Sequence, residues 1–260
     1  MRLLAPALAA AVLAAPASFL QAHQLGDGGF AETGGPASPA LTAWASLGVV
    51  AAGADPGAAL GYLQAHDRDA MPPATLALVA LAEAALGDGR LAASLPTGSG
   101  QTNAVIWTML ARRQAGRPVP KALVQALLNR QTRAGGWGWA RGVAPDSNDT
   151  AAALQALRSA GVSGAPIRRG LDYLRGLRNR DGGFALVRNR ESDAQSTAWV
   201  IQAFLAADLP PPARAYRYLS RLRRADGSYR YSKRYAVTPV WVTAQVLPAV
   251  MKMPFPLART

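Results

Sequence analysis

Cysteine is absent from the 260-residue chain, and histidine occurs only at His23 and His66. The lack of cysteine excludes disulfides, thiolate metal sites and cysteine nucleophiles. It leaves the cellular compartment open, because exported proteins also fold without disulfides. Both histidines stand in unrelated contexts, for which we expect surface positions. The sequence therefore predicts no metal site and no resident cofactor.

Acidic residues are scarce, 15 against 28 basic ones, and the formal net charge is +13. Such an excess suits an anionic partner such as nucleic acid, a membrane surface or an acidic ligand. The basic residues are dispersed, however, and the tightest group is Arg221, Arg223 and Arg224. Since no nucleic-acid-binding motif accompanies them, we expect an arginine-rich helical surface and no nucleic-acid partner.

Long apolar runs and strand patterns are also missing. No stretch after the N-terminus reaches about 18 uninterrupted apolar residues, so we expect no transmembrane segment. No segment alternates apolar and polar residues convincingly enough to predict a strand. Hydrophobic residues nevertheless make up 50% of the chain, and alanine, leucine and arginine dominate. This composition is typical of an all-α protein with a sizeable core.

The first 17 residues resemble a secretory leader. Arg2 precedes an apolar run over residues 3–15, and the run ends in Ala15-Pro16-Ala17. A short charged region, an apolar core and an Ala-x-Ala site predict a signal peptide over residues 1–17. We expect a mature protein that begins near Ser18 and is secreted or lies at the cell surface. An ordinary first helix is the alternative.

Glycine-rich turns that end in an aromatic residue recur along the chain, and we call each of them a knot. The four knots are Asp27-Gly28-Gly29-Phe30, Gly135-Gly136-Trp137, Asp181-Gly182-Gly183-Phe184 and Asp226-Gly227-Ser228-Tyr229. An amphipathic segment precedes each knot and an apolar segment follows it, which predicts an outer helix, a turn and a buried inner helix. Glycine at the end of the outer helix allows a left-handed cap. We expect residues 18–260 to form a single α/α toroid of five to six helical hairpins.

The segment 131–137, Gln-Thr-Arg-Ala-Gly-Gly-Trp, resembles the Gln-Trp motif of squalene-hopene cyclases. Segments 169–184 and 214–229 fit the motif with arginine for glutamine and another aromatic for tryptophan, and segment 24–30 fits its second half. The resemblance covers most of the predicted mature chain. It implies the α/α toroid shared by triterpene cyclases, protein prenyltransferase β-subunits and cobalamin carriers.

The resemblance also implies a place for catalysis. Class II triterpene cyclases protonate an alkene through the middle aspartate of an Asp-x-Asp-Asp-Thr-Ala motif. Segment 146–151 reads Asp-Ser-Asn-Asp-Thr-Ala, so Asn148 stands at the acid position, and an amide cannot donate that proton. Either the activity is lost, or Asp146 or Asp149 takes over. The same residues also suit an ordinary helix N-cap.

Other repeats carry polar residues at corresponding positions, and these should ring one end of the central cavity. The tryptophans pack the core or line a hydrophobic pocket. The predicted ligand-binding set is Gln101, Asp146, Asn148, Asp149, Asp193, Gln195, Thr238, Trp199 and Trp241.

Three functions fit these features. We favour an exported toroid that binds a bulky hydrophobic or corrinoid-type ligand without catalysis, with a separate partner protein over the toroid mouth. Export, Asn148 and the single helical domain count against catalysis, since triterpene cyclases enclose the substrate with two such domains. The alternatives are a class II triterpene-cyclase-like enzyme that uses Asp146 and Asp149, and a protein-interaction toroid. Prenyl transfer to protein is excluded, because the cysteine ligand of its zinc is missing.

Overall fold

The computed structural model describes residues 15–66, 68–97 and 100–257. Within these ranges the chain forms twelve helices and one two-stranded hairpin. The helices are α1 (15–21), α2 (Pro39–Ala51), α3 (Ala59–Ala65), α4 (Pro73–Ala85), α5 (Arg90–Ser94), α6 (Thr102–Gln114), α7 (Lys121–Leu128), α8 (Ser147–Ser159), α9 (Ala165–Arg175), α10 (Ala194–Ala206), α11 (Ala213–Leu222) and α12 (Pro239–Val250). Strands β1 (Phe184–Ala185) and β2 (Ser192–Asp193) pair antiparallel.

The even-numbered helices form a closed inner ring. Each packs against the next even-numbered helix, and α12 packs against α2 to complete the circle. The odd-numbered helices lie outside this ring; α3, for example, contacts α2 and α4, and α9 contacts α8 and α10. The predicted all-α fold and the α/α toroid are confirmed, and the described residues contain six hairpins.

The two layers follow from the distribution of apolar residues. Inner helices such as α4 and α10 bury consecutive residues over most of their length, so nearly their whole circumference lies in protein. Outer helix α11 buries one stripe, Ala215, Tyr218, Leu219 and Leu222, and turns its arginines to solvent. Burial all round predicts an inner position, and a single apolar stripe predicts an outer one.

Each knot is tied to the inner helix that follows it. The backbone N–H of the knot aromatic donates to the hydroxyl of a fully buried threonine on that helix, at 2.9 Å in all four copies. The pairs are Phe30 with Thr42, Trp137 with Thr150, Phe184 with Thr197, and Tyr229 with Thr243. The hydroxyl satisfies a buried backbone donor, which fixes the turn relative to the helix.

The knot glycines lie further along the chain than the sequence predicts. Gly135 has a φ of +94°, as expected for a left-handed residue, but α7 already ends at Leu128. The glycine serves the turn rather than the helix end. A Cβ at Gly135 would stand 2.5 Å from the carbonyl oxygen of Arg169 on α9. Glycine is therefore required both by the backbone conformation and by the close approach of the next outer helix.

The glutamine of the Gln-Trp motif joins neighbouring hairpins. The Nε2 atom of Gln131 donates to the carbonyl oxygen of Gly135 at 2.7 Å and to that of Pro166 at 2.8 Å. Gln24 makes the two equivalent bonds in the first hairpin, at 2.9 and 2.7 Å. The glutamine of the motif therefore links each of these two repeats to the next one.

The predicted signal peptide over residues 1–17 mostly lies outside the described residues, which begin at Ala15. Residues 15–17 form the start of α1, where Ala17 is 3% exposed and packs into the core. Cleavage before Ser18 would shorten α1, and processing at this site stays a prediction. Within the described ranges, no helix is both long enough and apolar enough to cross a membrane.

Candidate active site

The inner helices all begin at the same end of the ring, because an outer helix that runs back lies between each inner helix and the next. We call this end the mouth. Gln101, Asp146, Asp193 and Thr238 are the residues immediately before α6, α8, α10 and α12. The structure thus brings the predicted polar residues together at the mouth, although their local contacts differ.

Asp146 and Asp149 form a carboxyl pair at the start of α8. Asp146 is the N-cap and its Oδ1 atom accepts the backbone N–H of Asp149 at 2.8 Å, which brings the two carboxyls close together. Burial raises the pKa of both carboxyls. The negative charge of Asp146 raises the pKa of Asp149 further, to about 8. Both shifts favour the protonated form, so the pair favours holding one proton at neutral pH.

The backbone around this pair is fixed from three sides. The N–H of Asp146 donates to the carbonyl oxygen of Trp137 at 3.1 Å, and the N–H of Ser147 donates to that of Leu186 at 2.9 Å. The hydroxyl of Tyr173 donates to the carbonyl oxygen of Pro145 at 2.5 Å. Burial raises the pKa of Tyr173 to about 12, so this hydroxyl stays a donor. The carboxyl pair is held in a rigid frame.

Asn148 lies on the face of α8 that points to the ring centre. It shares this face with Ala152 and Gln155, at the spacing of one and two helical turns, and Gln155 contacts a residue in the ring centre. Its Oδ1 atom accepts the hydroxyl of Ser147 at 3.0 Å. The acid position of the motif thus holds a half-buried amide, and the carboxyl that retains a proton is the next residue.

Helix α10 also begins with an aspartate N-cap, but it carries no second carboxyl beside it. Asp193 is 4% exposed, and its two oxygens accept the backbone N–H and the hydroxyl of Ser196, both at 2.7 Å. Burial raises its pKa to about 6, against these hydrogen bonds, which lower it. Gln195 and Trp199 both donate to the Oε1 atom of Gln245, at 2.7 and 2.8 Å.

Gln101 and Thr238 make no side-chain capping bond, and both are exposed. Other residues accept the free N–H groups of their helices. The carbonyl oxygen of Trp139 accepts the N–H of Asn103 on α6 at 3.1 Å. The carboxylate of Glu32 accepts two N–H groups at the start of α12, from Val240 at 3.0 Å and from Trp241 at 2.8 Å.

The sequence analysis did not predict which residues cap the inner helices, although their spacing in the sequence identifies them. Four residues stand two places after a knot aromatic and accept the first N–H groups of the preceding inner helix, by backbone or side chain. We call them the capping ring: Glu32, Trp139, Leu186 and Tyr231. Because each member belongs to the next hairpin, the spacing after the knots identifies which residues join neighbouring inner helices.

The ring centre is filled by aromatic side chains. Trp44, Trp107 and Trp199 are each the sixth residue of α2, α6 and α10, and their ring centroids lie 5.4 to 5.7 Å apart. We call these three the tryptophan layer. Trp199 is buried in it, whereas Trp241 is half-buried, 6.4 Å from Trp44. The predicted pocket residue Trp199 is thus part of the core.

Groups of three or more histidine, cysteine, aspartate or glutamate side chains that could hold a metal ion are absent from the part of the chain that the structure describes. The chemistry of the mouth therefore rests on the carboxyl pair, the amides and the indoles.

Comparison with known proteins relates this arrangement to terpene cyclases. No protein-family model matches the chain. Drimenyl diphosphate synthase from Streptantibioticus cattleyicolor is 34% identical over 120 residues, which cover 42% of this chain and 22% of that enzyme. The match thus spans less than a quarter of that relative.

Solved structures share the fold over most of the chain. The type II terpene cyclase MstE from Scytonema has a TM-score of 0.69 at 16% identity, covering 93% of this chain and 96% of that one. A variant of MstE with its substrate geranylgeranyl dihydroxybenzoate bound has a TM-score of 0.62 at 17% identity, covering 96% and 99%. For ent-copalyl diphosphate synthase from Streptomyces platensis the TM-score is 0.59 at 18% identity, covering 82% and 50%.

These similarities correct the sequence-based expectation of function. The prediction of a carrier that binds a hydrophobic or corrinoid-type ligand without catalysis is wrong, because the similarities point to cyclases, including one with its substrate bound. The argument from a single helical domain fails as well, since the matched MstE chain is almost fully covered by this one. A partner protein over the mouth stays a prediction. The chain has the α/α-toroid fold of the terpenoid cyclase and prenyltransferase superfamily.

Proposed function

We propose that this protein is a type II terpene-cyclase-like enzyme in which Asp149 is the proton donor and Asp146 its partner. One observation carries the proposal: two half-buried carboxyls, Asp146 and Asp149, meet at the mouth of the toroid, where Asp146 accepts the backbone N–H of Asp149. Burial and the charge of Asp146 raise the pKa of Asp149 to about 8, in line with a proton held on the pair. An N-cap explains Asp146, but it does not explain a second half-buried carboxyl beside the first.

The reaction starts with transfer of the Asp149 proton to the terminal alkene of a linear isoprenoid. The alkene π electrons form the new C–H bond, and the neighbouring carbon becomes a carbocation. Successive alkenes attack that cation and close rings, until loss of a proton or capture of water ends the sequence. Asp146 keeps the proton on Asp149 in the resting state, because two carboxylates in contact cannot both ionise readily.

The walls of the mouth suit a cationic intermediate. Trp107 in the tryptophan layer and Trp241 near the start of α12 are half-buried and present indole rings, whose faces attract cations. Ring centroids of Trp44 and Trp107 stand 5.4 Å apart in an edge-on arrangement, which holds the indoles in place. The substrate class that fits is a linear isoprenoid. The names of the similar proteins include both diphosphates and a prenylated dihydroxybenzoate, so the head group stays open.

The test incubates the purified protein with farnesyl and geranylgeranyl diphosphate and with geranylgeranyl dihydroxybenzoate, and detects cyclic products by mass spectrometry. Asp149→Asn should abolish the turnover, because an amide has no proton to give. Asp193→Asn is the matched control, since Asp193 caps α10 without a carboxyl partner, and it should retain activity. Equal activity in Asp149→Asn and the wild type would refute the proposal, as would a wild type inactive on all three substrates.

Export is a second proposal, supported by the leader pattern of residues 1–17. Expressed with these residues in a bacterial host, the protein should appear outside the cytoplasm with Ser18 or a close neighbour at its N-terminus, as read by N-terminal sequencing. A full-length chain retained in the cytoplasm would contradict it.

A further inference from the structure

The C-terminal tail, residues 251–257, returns to the centre of the ring. It follows α12, which ends at Val250, yet Phe255 is 2% exposed. The backbone N–H of Phe255 donates to the Oε1 atom of Gln155 at 2.7 Å, across 100 residues of sequence. Gln155 is fully buried on α8, so the helix that carries the carboxyl pair also holds the tail.

Phe255 lies under the tryptophan layer, on the side away from the mouth. Its ring centroid is 6.2 Å from that of Trp44 and 5.9 Å from that of Trp199. Both tryptophans are the sixth residue of their helices, whereas Gln155, which binds the tail, is the ninth residue of α8. Phe255 therefore supports two indoles of the layer from below.

Asp149 and Gln155 are six residues apart on α8, which places Gln155, the residue that binds Phe255, about 9 Å beyond Asp149 along the helix axis. The sixth residue of α8 is Ala152, so this wall carries a methyl group where three other inner helices carry an indole. The indoles and Phe255, rather than α8 itself, thus limit the depth available below Asp149.

We infer that Phe255 determines the length of the isoprenoid chain that the mouth accepts, by fixing the depth of the tryptophan layer. This inference rests on the proposed function and deepens it. With the phenyl ring in place the indoles cannot move toward the far end of the ring, and a short chain fits above them. Without it, Trp44 has room to move toward the far end of the ring, whereas Trp199 stays bonded to Gln245, and a longer chain fits below Asp149.

The test compares Phe255→Ala, Phe255→Leu and the wild type with farnesyl and geranylgeranyl diphosphate. The ratio of kcat/KM for the longer over the shorter substrate should rise about tenfold or more in Phe255→Ala, the scale on which apolar pockets discriminate by size. It should rise less in Phe255→Leu. Leu257→Ala is the matched control, because Leu257 lies in the same tail and is equally buried at 4% exposure but is not an aromatic neighbour of the layer.

An unchanged ratio in a folded Phe255→Ala protein would overturn the inference, as would an equal rise in Leu257→Ala. Circular dichroism establishes folding, and if Phe255→Ala does not fold, the ratio in Phe255→Leu decides. If the wild type shows no turnover, the proposed function fails separately. The inference is then decided by the affinities for farnesol and geranylgeraniol, measured by tryptophan fluorescence, which should shift in the same direction.

Discussion

The first turns of α8 and α10 share one frame and differ in a single chemically decisive residue. Both begin with an aspartate N-cap in extended conformation, and both carry a threonine that accepts a knot aromatic. Three residues after the cap, α10 has Ser196, and α8 has Asp149. The serine hydroxyl donates to Asp193, whereas in α8 the negative charge of Asp146 raises the pKa of the second carboxyl.

This difference shows what a helix cap can and cannot account for. In α10 every oxygen of the capping carboxylate has a donor, so the cap satisfies the helix end without a titrating partner. In α8 a donor has been replaced by a second acid, which costs stability unless one carboxyl stays protonated. A structural role explains the first arrangement, and the proposed acid function accounts for the second.

Exchanging the two residues should have the largest effect. In the double variant Asp149→Ser with Ser196→Asp the carboxyl pair moves to α10. Turnover should fall by about 10²- to 10⁴-fold, the usual contribution of a general acid, because the proton donor no longer lies on α8. At the start of α10 the new carboxyl would stand next to Gln195, whose amide is bonded to Gln245. Product formation by mass spectrometry measures the loss. Retained turnover would show that a pair anywhere at the mouth suffices.

The second largest effect concerns the pH dependence of stability, which should differ between the carboxyls at the starts of α8 and α10. The pKa of Asp149 is about 8 in the folded protein and near 4 when unfolded. Between these values the folded state binds the proton and the unfolded state does not, so stability falls as the pH rises from about 4 to 8. The slope is at most about 1.4 kcal/mol per pH unit for one proton.

Urea unfolding at several pH values measures this slope. Asp149→Asn should be flatter than the wild type across the whole window, since its amide does not titrate. Asp193 has a lower pKa, about 6, so Asp193→Asn should remove a dependence that ends near pH 6. Identical profiles for both variants would mean that the two carboxyls are equivalent.

The single change Ser196→Asp should have the smallest effect of the three. It removes the hydroxyl that donates to Asp193 and places a second carboxyl beside it, which should destabilise the fold by about 1–3 kcal/mol above pH 7. The loss should shrink at pH 5, where the new pair can hold a proton. Thermal unfolding at both pH values checks this, and an equal loss at both would rule out a shared proton.

The sequence predicts those parts of the molecule that depend on short-range patterns. Glycine with an aromatic two residues later marks each knot, and apolar segments mark the inner helices, so the toroid follows from neighbours in the chain. The pKa of Asp149 does not follow, because the same motif in solution would be solvated. It depends on burial at the mouth, which only the assembled ring provides.

Contacts between residues far apart in the sequence could not be predicted either, because they too form only in the assembled ring. Phe255 meets Gln155 across 100 residues, and no local pattern marks a tail residue as part of the ring centre. The carrier prediction rested on Asn148, export and the single helical domain, whereas the contact between Asp146 and Asp149 forms only in the folded ring. The displaced position of Gly135 reflects an additional turn after α7, whose contact with α9 is likewise set by tertiary packing.

The contact between Glu32 and the start of α12 affects how the ring folds. Its carboxylate joins the first hairpin to the last, 208 residues further along the chain. In an open repeat array each unit depends only on its neighbours, and folding can propagate from any point. Here the final contact requires closure of a loop of nearly the whole described chain, which costs entropy before the contact is made. We therefore expect slow folding dominated by a late closure step.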